Sequence, residues 1–183
     1  QNMFGERDKL SITVVRYGNV LASRGSVIPF FNRQFKEKNF LTLTHKDMTR
    51  FSIFLEEGVE TVLWSIKNVK GGEIIVPKAP SMRIQDLAKV IAANKIKVIG
   101  KRSGEKIHEE LISVNESEYT IDLGNYYAIL PKNNFDFLTK LYKKTFKLKK
   151  FPKNQSYNSE HNIKFLNHKE IKNILNKLKF ISD

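Results

Sequence analysis

The 183 residues predict an α/β fold, because short apolar runs of strand length alternate with stretches of helical period. The strands are too few for a complete doubly wound sheet, so part of the sheet is expected to lie elsewhere. Composition changes at Lys132, which divides the chain into 1–131 and a Lys-rich extension, 132–183, that ends in a helix.

Ser11 to Arg16 reads as a buried strand, and Val27 to Lys38 as a helix with Phe30, Phe31 and Phe35 at helical spacing. Phe40 to Thr44 and Thr49 to Phe54 read as short strands. A helix from Glu56 to Asn68 is predicted to bury Val59, Val62, Leu63 and Ile66, and Gly71-Gly72 ends it before a strand at Glu73 to Val76. Ser81 is a candidate cap for a helix from Met82 to Ala93 that carries Ile84, Leu87, Val90 and Ile91. A strand at Lys97 to Ile99 leads into RSGEKIHEE, Arg102 to Glu110, read as a Gly-containing turn ahead of a helix. Tyr119 to Leu123 and Tyr126 to Leu130 form a hairpin around Gly124-Asn125, Pro152 interrupts the tail, and His168 to Leu178 is a helix with one apolar stripe.

The sequence has no cysteine, so a disulfide framework is excluded. No apolar run reaches the ~18 residues of a membrane span, and no leader is visible, which places the chain in the cytoplasm with no membrane partner. The chain starts with Gln1, and its first ten residues, QNMFGERDKL, read as a helix end and a polar loop. Such a start suggests the interior of something larger. The net charge is +13, and from Lys132 onward thirteen lysines against Asp136, Glu160, Glu170 and Asp183 account for +9 of it. That tail has no arginine, whereas specific nucleic-acid faces use arginine for bidentate contacts, so no specific nucleic-acid partner is expected.

Three segments have residue types suited to an anionic ligand. In RYGNVLASRGS, Arg16 to Ser26, Gly18 and Gly25 permit close approach or a positive φ, Asn19 offers donors and an acceptor, and Arg16 and Arg24 can donate to phosphate. In RSGEKIHEE, Arg102 can grip a diphosphate and Glu105 can accept from sugar hydroxyls. In MTRF, Arg50 sits among apolar neighbours and needs an anionic or carbonyl partner, with Asp47 and Glu56 nearby in sequence. Each segment has a plain structural reading as well: a strand-to-loop connection, a helix start with an exposed charged face, an internal ion pair. His45, His108, His161 and His168 show no metal-ligand spacing. No G-x-S-x-G, G-x-G-x-x-G or P-loop occurs, and none of the six tyrosines has a lysine four residues later.

In order along the chain, RYGNVLASRGSVIPFF, MTRF, EEGVETVL, GGEIIVPKAPSM, DLAKVIA, RSGEKIHEELIS and SYNSEHNIKFL resemble the C-terminal half of the nucleotide-sugar 4,6-dehydratases of bacterial surface-polysaccharide synthesis. These are CapD-like extended short-chain dehydrogenase/reductase enzymes, and among them the inverting UDP-N-acetylglucosamine 4,6-dehydratases of the pseudaminic acid route are the most similar in these motifs. The resemblance implies the last strands of a Rossmann-like sheet plus a substrate subdomain, with the dinucleotide-binding half absent. It implies that Asn19, Arg102, Glu105 and Arg50 bind a UDP-sugar, and that Val20, Leu21, Ala22, Ser23 and Arg24 line the nicotinamide end of NADP, or of NAD. Ser103 stands where the family usually has proline, and Ala22 where many members have glycine. The family's Gly-rich loop and Tyr-x-x-x-Lys pair precede the point where this chain begins. The resemblance therefore implies that no catalytic residue is present, that the chain alone is inactive, and that a complementing N-terminal half and a homo-oligomer belong to the full enzyme. A CapD-like epimerase, a retaining dehydratase and a non-catalytic binding module remain alternatives.

Overall fold

The computed structural model describes residues 10–180. The expectation for the first ten residues falls, apart from Leu10, outside them. The chain forms two units whose segments interleave: one takes residues up to Tyr17, then 56–78 and 110–158, and the other takes 18–55, 79–109 and the remainder from Ser159. The Lys-rich stretch from Lys132 is thus distributed over both.

The first unit is built on a five-stranded sheet. β1 (Val14–Val15) runs parallel to β5 (Ile74–Pro77), with Val14 opposite Ile74. β10 (Tyr126–Ile129) pairs antiparallel with β5 on its other side, followed by β9 (Thr120–Asp122) and β11 (Lys149–Lys150). The predicted hairpin is therefore β9–β10. α4 (Phe135–Lys143) covers one face, where Leu138 and Tyr142 join Ile75, Ile121 and Ala128 in a single apolar cluster. β8 (Glu110–Ile112) and β12 (Tyr157–Asn158) form a separate antiparallel pair.

The strand expected to be buried over Ser11 to Arg16 narrows to β1, with Val14 40% exposed, and two further features of this unit depart from the sequence reading. α2 (Leu55–Asn68) forms as expected but buries Gly58, Thr61 and Ser65, while Val62 and Ile66 of the apolar stripe are 41% and 73% exposed. The helix turns its small residues toward the unit; the hydroxyls of Thr61 and Ser65 bond back to the carbonyls of Glu57 and Thr61 at 2.7 Å. Trp64, beside that face, stacks on Tyr126 with ring centres 4.3 Å apart. The second feature is Glu73, a fully buried carboxylate at the start of the strand after Gly71-Gly72. It accepts from the Lys70 and Gly71 N–H groups at 2.7 Å, from Tyr142 Oη at 2.9 Å and from Thr13 Oγ1 at 3.2 Å. Burial and the neighbouring Glu73 charge drive the Tyr142 hydroxyl far above its ordinary pKa, so it remains a donor.

The second unit contains β2 (Asn19–Val20), parallel to β4 (Thr49–Ile53), which pairs antiparallel with β6 (Ser81–Arg83). A second parallel pair joins β3 (Leu41–Leu43) to β7 (Ile96–Val98). α1 (Val27–Lys38), α3 (Ile84–Ala92) and α5 (His168–Lys177) enclose the core; Phe31, Leu43, Met82, Leu87 and Leu175 are all at most 3% exposed. α5 starts at a capping box in which Asn167 and Glu170 satisfy each other's backbone N–H groups at 2.9 and 2.8 Å.

Two local expectations fail here. Ser81 is no helix cap but a strand residue opposite Phe51, because pairing with β4 claims Ser81 to Arg83 and the helix begins two residues later than the apolar pattern suggests. No helix follows Arg102: the segment turns at Gly104, φ 75°, and runs into β8.

Candidate functional site

The second unit holds an open cavity of about 310 Å³, at the lower end of small-molecule sites. Its walls come from the loop after β2, from β4 and from the turn after β7. Asn19, Val20, Leu21 and Ala22 line it, together with Arg50, Arg102 and Glu105. Ser23 and Arg24 are exposed and stand outside the lining.

The loop geometry follows from its residues. A Cβ at Gly18 would lie 2.8 Å from the carbonyl oxygen of Phe51, so only glycine lets β2 run this close to β4. The approach sets Asn19 opposite Ser52 and Val20 opposite Ile53, and the Leu21 N–H reaches the Ile53 carbonyl at 2.8 Å. The chain then reverses through Ala22 at φ 58° and Gly25 at φ 79° and enters α1. A left-handed alanine costs roughly 1 kcal/mol relative to glycine, so Ala22 holds this turn under mild strain.

Arg16 takes no part in the cavity. In the first unit its Nη1 donates to the Leu111 carbonyl at 2.9 Å and to Glu116 Oε1 at 3.0 Å, so its partner is a carboxylate of the chain. Burial pushes the Glu116 carboxyl up, but donation from the Ser113 N–H and hydroxyl and from Arg16 outweighs it and holds the group below the usual carboxylate range.

Arg50 lies on the cavity wall with its guanidinium tied inward. Nη1 donates to the carbonyls of Thr49 and Ile107 at 2.7 and 2.8 Å, Nη2 to that of Lys106 at 2.8 Å, and Nε faces Glu109 at 3.5 Å. Its partners are thus the backbone of the RSGEKIHEE segment and Glu109, in place of Asp47 or Glu56. These bonds staple β4 to the loop that holds Arg102 and Glu105. The Glu105 carboxylate closes the turn by accepting from the Arg102 N–H and the Thr44 hydroxyl, both at 3.2 Å. The side chain of Arg102 is exposed at the cavity mouth, where a cation can meet an anionic ligand with little desolvation cost.

Sequence reasoning missed two features of the site. Ser26 and Ser52 line the cavity and have hydroxyls that are buried with no partner among the described residues; orphaned hydroxyls are uncommon in a core and mark this wall as unusual. Glu109, half-buried behind Asn19 and Arg50, reads in the sequence only as part of an exposed charged face. Burial raises its pKa, and the Arg50 and Lys106 charges offset part of the rise. Only tertiary contacts place Glu109 here.

Among the described residues no cluster of His, Asp or Glu can hold a metal ion, and no helix is long and apolar enough to cross a membrane.

Similarity to known proteins bears on the same segments. The chain is 45% identical over 171 residues to a protein of Campylobacter jejuni subsp. jejuni serotype O:2 named UDP-N-acetylglucosamine 4,6-dehydratase (inverting), covering 89% of this chain and 50% of the relative. It is 42% identical over 184 residues to a Rickettsia bellii protein named UDP-glucose 4-epimerase, covering 97% of this chain and 52% of that one. Among solved structures, Pen from Bacillus thuringiensis superposes with a TM-score of 0.81 at 29% identity, over 98% of this chain and 54% of Pen. The chain spans about half the length of the curated relatives it matches. The family described as polysaccharide biosynthesis protein matches residues 1–131, which contain every residue of the cavity wall. The chain, with its mixed α/β architecture, belongs to the polysaccharide biosynthesis protein family.

Proposed function

We propose that the cavity is the sugar-nucleotide end of a UDP-N-acetylglucosamine 4,6-dehydratase site. One observation carries the reading: Asn19, Arg50, Arg102 and Glu105, far apart in sequence, meet around one cavity in a chain 45% identical to a relative of that name. Arg102 meets the diphosphate at the mouth, Glu105 accepts from sugar hydroxyls through the lone pairs its turn leaves open, and Asn19 bonds the sugar. Arg50 contributes positive charge to the wall and holds the two ligand-binding loops together.

Val20, Leu21 and Ala22 continue the wall beyond Asn19 and suit the flat apolar face of a nicotinamide, whereas Ser23 and Arg24 stand outside the cavity and have no assigned contact in it. A bound NADP or NAD supplies hydride transfer in such enzymes. The sequence holds neither a G-x-G-x-x-G loop nor a Tyr-x-x-x-Lys pair. The reading therefore gives these 183 residues the binding of the sugar nucleotide, in a cytoplasmic enzyme of surface polysaccharide or pseudaminic acid synthesis whose dinucleotide-binding half lies outside them. Full-length assembly as a homo-oligomer belongs to the same reading. A second reading, a UDP-sugar 4-epimerase, is favoured by the 42% identity to the Rickettsia relative and uses the same cavity.

Calorimetric titration with UDP-N-acetylglucosamine, UDP-glucose and ATP tests the assignment. Saturable binding of UDP-N-acetylglucosamine in preference to UDP-glucose supports the dehydratase reading, the reverse order supports the epimerase, and binding of ATP alone refutes both. No turnover by these 183 residues is expected, and measurable 4-keto-6-deoxy product from them overturns the division of labour.

A further inference from the structure

Glu109 does not line the cavity, yet it is bound to two residues that do. Its backbone is clamped by Ser159 on both sides: the Glu109 N–H donates to Ser159 Oγ at 2.9 Å, and the Ser159 N–H donates to the Glu109 carbonyl at 2.8 Å. Ser159 is fully buried, and its hydroxyl lies 2.7 Å from Thr49 Oγ1 on β4. The carboxylate so placed faces Arg50 Nε at 3.5 Å. Its two oxygens also lie 2.9 and 3.0 Å from the Asn19 amide, whose nitrogen is assigned to that side because an oxygen there would face only acceptors. Arg50 returns to the same segment through the Ile107 and Lys106 carbonyls, so Glu109 is anchored through three elements before any ligand arrives.

A free asparagine can turn either its N–H₂ or its carbonyl oxygen toward a ligand. A carboxylate only accepts, so it selects the amide nitrogen. We propose that Glu109 is a positioning residue: by holding the Asn19 nitrogen it fixes that side chain so that Asn19 offers its carbonyl oxygen to the cavity. Asn19 then recognises a hydroxyl or N–H donor on the ligand and discriminates against groups that only accept. This rests on the reading of the cavity as a sugar-nucleotide site, since sugar hydroxyls are such donors.

A double-mutant cycle separates the two claims, read both by urea unfolding and by titration with UDP-N-acetylglucosamine. Asn19→Asp sets two carboxylates face to face, and Glu109→Gln replaces an acceptor-only group with an amide that can turn either its oxygen or its N–H₂ toward Asn19, so the selection of the Asn19 nitrogen is lost. Each single variant is expected to weaken binding about tenfold, the scale of one hydrogen bond to a charged group. Combined, Asp at 19 and Gln at 109 restore a donor–acceptor pair and keep an acceptor facing the ligand. The double variant is expected to recover at least about fivefold over the product of the single effects. Independent effects, with no recovery in either readout, overturn the inference. Recovery in unfolding by a protein whose parent binds no UDP-N-acetylglucosamine supports the pairing and overturns the sugar-nucleotide reading. Recovery in unfolding without recovery in binding overturns the positioning role.

Discussion

Replacing Gly18 with alanine tests how closely the site depends on one backbone approach. The new Cβ would meet the Phe51 carbonyl oxygen at 2.8 Å and the carbonyl carbon at 3.0 Å, against the 3.4 Å at which ordinary contact begins. Both are main-chain atoms of the central strand of β2–β4–β6, so no side chain can swing away; the strands must separate by roughly half an ångström. Strain of this kind costs about 1–3 kcal/mol. For a chain of this size that is a fall in Tm of about 2–4 °C per kcal/mol. The same displacement pulls Asn19 from Glu109, so affinity for UDP-N-acetylglucosamine should fall by about tenfold or more. Thermal unfolding and titration of the variant measure the two effects side by side. Unchanged values of both would refute the claim that Gly18 is required for the approach, and with it the account of how Asn19 is aimed.

Two further outcomes concern stability. Tyr142→Phe removes one donor from the fully buried Glu73 carboxylate and should lower the unfolding free energy by about 1.5–3 kcal/mol, measured by urea denaturation; a neutral effect would show that Glu73 is satisfied without it. The Glu116 carboxyl has a lower pKa folded than unfolded, so its contribution is present above the ordinary carboxylate value and is lost as pH falls through the folded-state value. A Glu116→Gln variant should therefore lose less stability than the parent on acidification across that window, and a parallel pH profile would count against the Arg16–Glu116 pairing.

The elements legible in the sequence were those whose period and punctuation agree. α1 spans Val27–Lys38, as the helical spacing of Phe30, Phe31 and Phe35 predicts, and the Gly124 turn makes the β9–β10 hairpin. The apolar stripe of α2 has clear helical period, but period reveals a face and not what covers it; here Thr61 and Ser65 are buried instead. Ser81 shows the limit of local capping rules, because pairing with β4 overrides them. α4 was missed since its apolar residues, Phe135, Leu138 and Leu141, sit among the lysines that dominate the tail's composition.

For the site, the motif residues were readable and their partners were not. Asn19, Arg50, Arg102 and Glu105 are chemically conspicuous. Two of the three carbonyl partners of Arg50, those of Lys106 and Ile107, lie more than fifty residues away, and Glu109 acquires its role from Ser159, fifty residues further on, so neither relation leaves a local trace.

The central claim, that this cavity binds a sugar nucleotide through Arg102, is most directly tested by titrating the parent and Arg102→Ala with UDP-N-acetylglucosamine and with UDP. Arg102 is exposed and engages no other element through its side chain among the described residues, so the variant should fold as the parent does. The account predicts that both ligands bind the parent and that the variant loses about tenfold or more for each, since they share the diphosphate. Equal binding of UDP by parent and variant would contradict it.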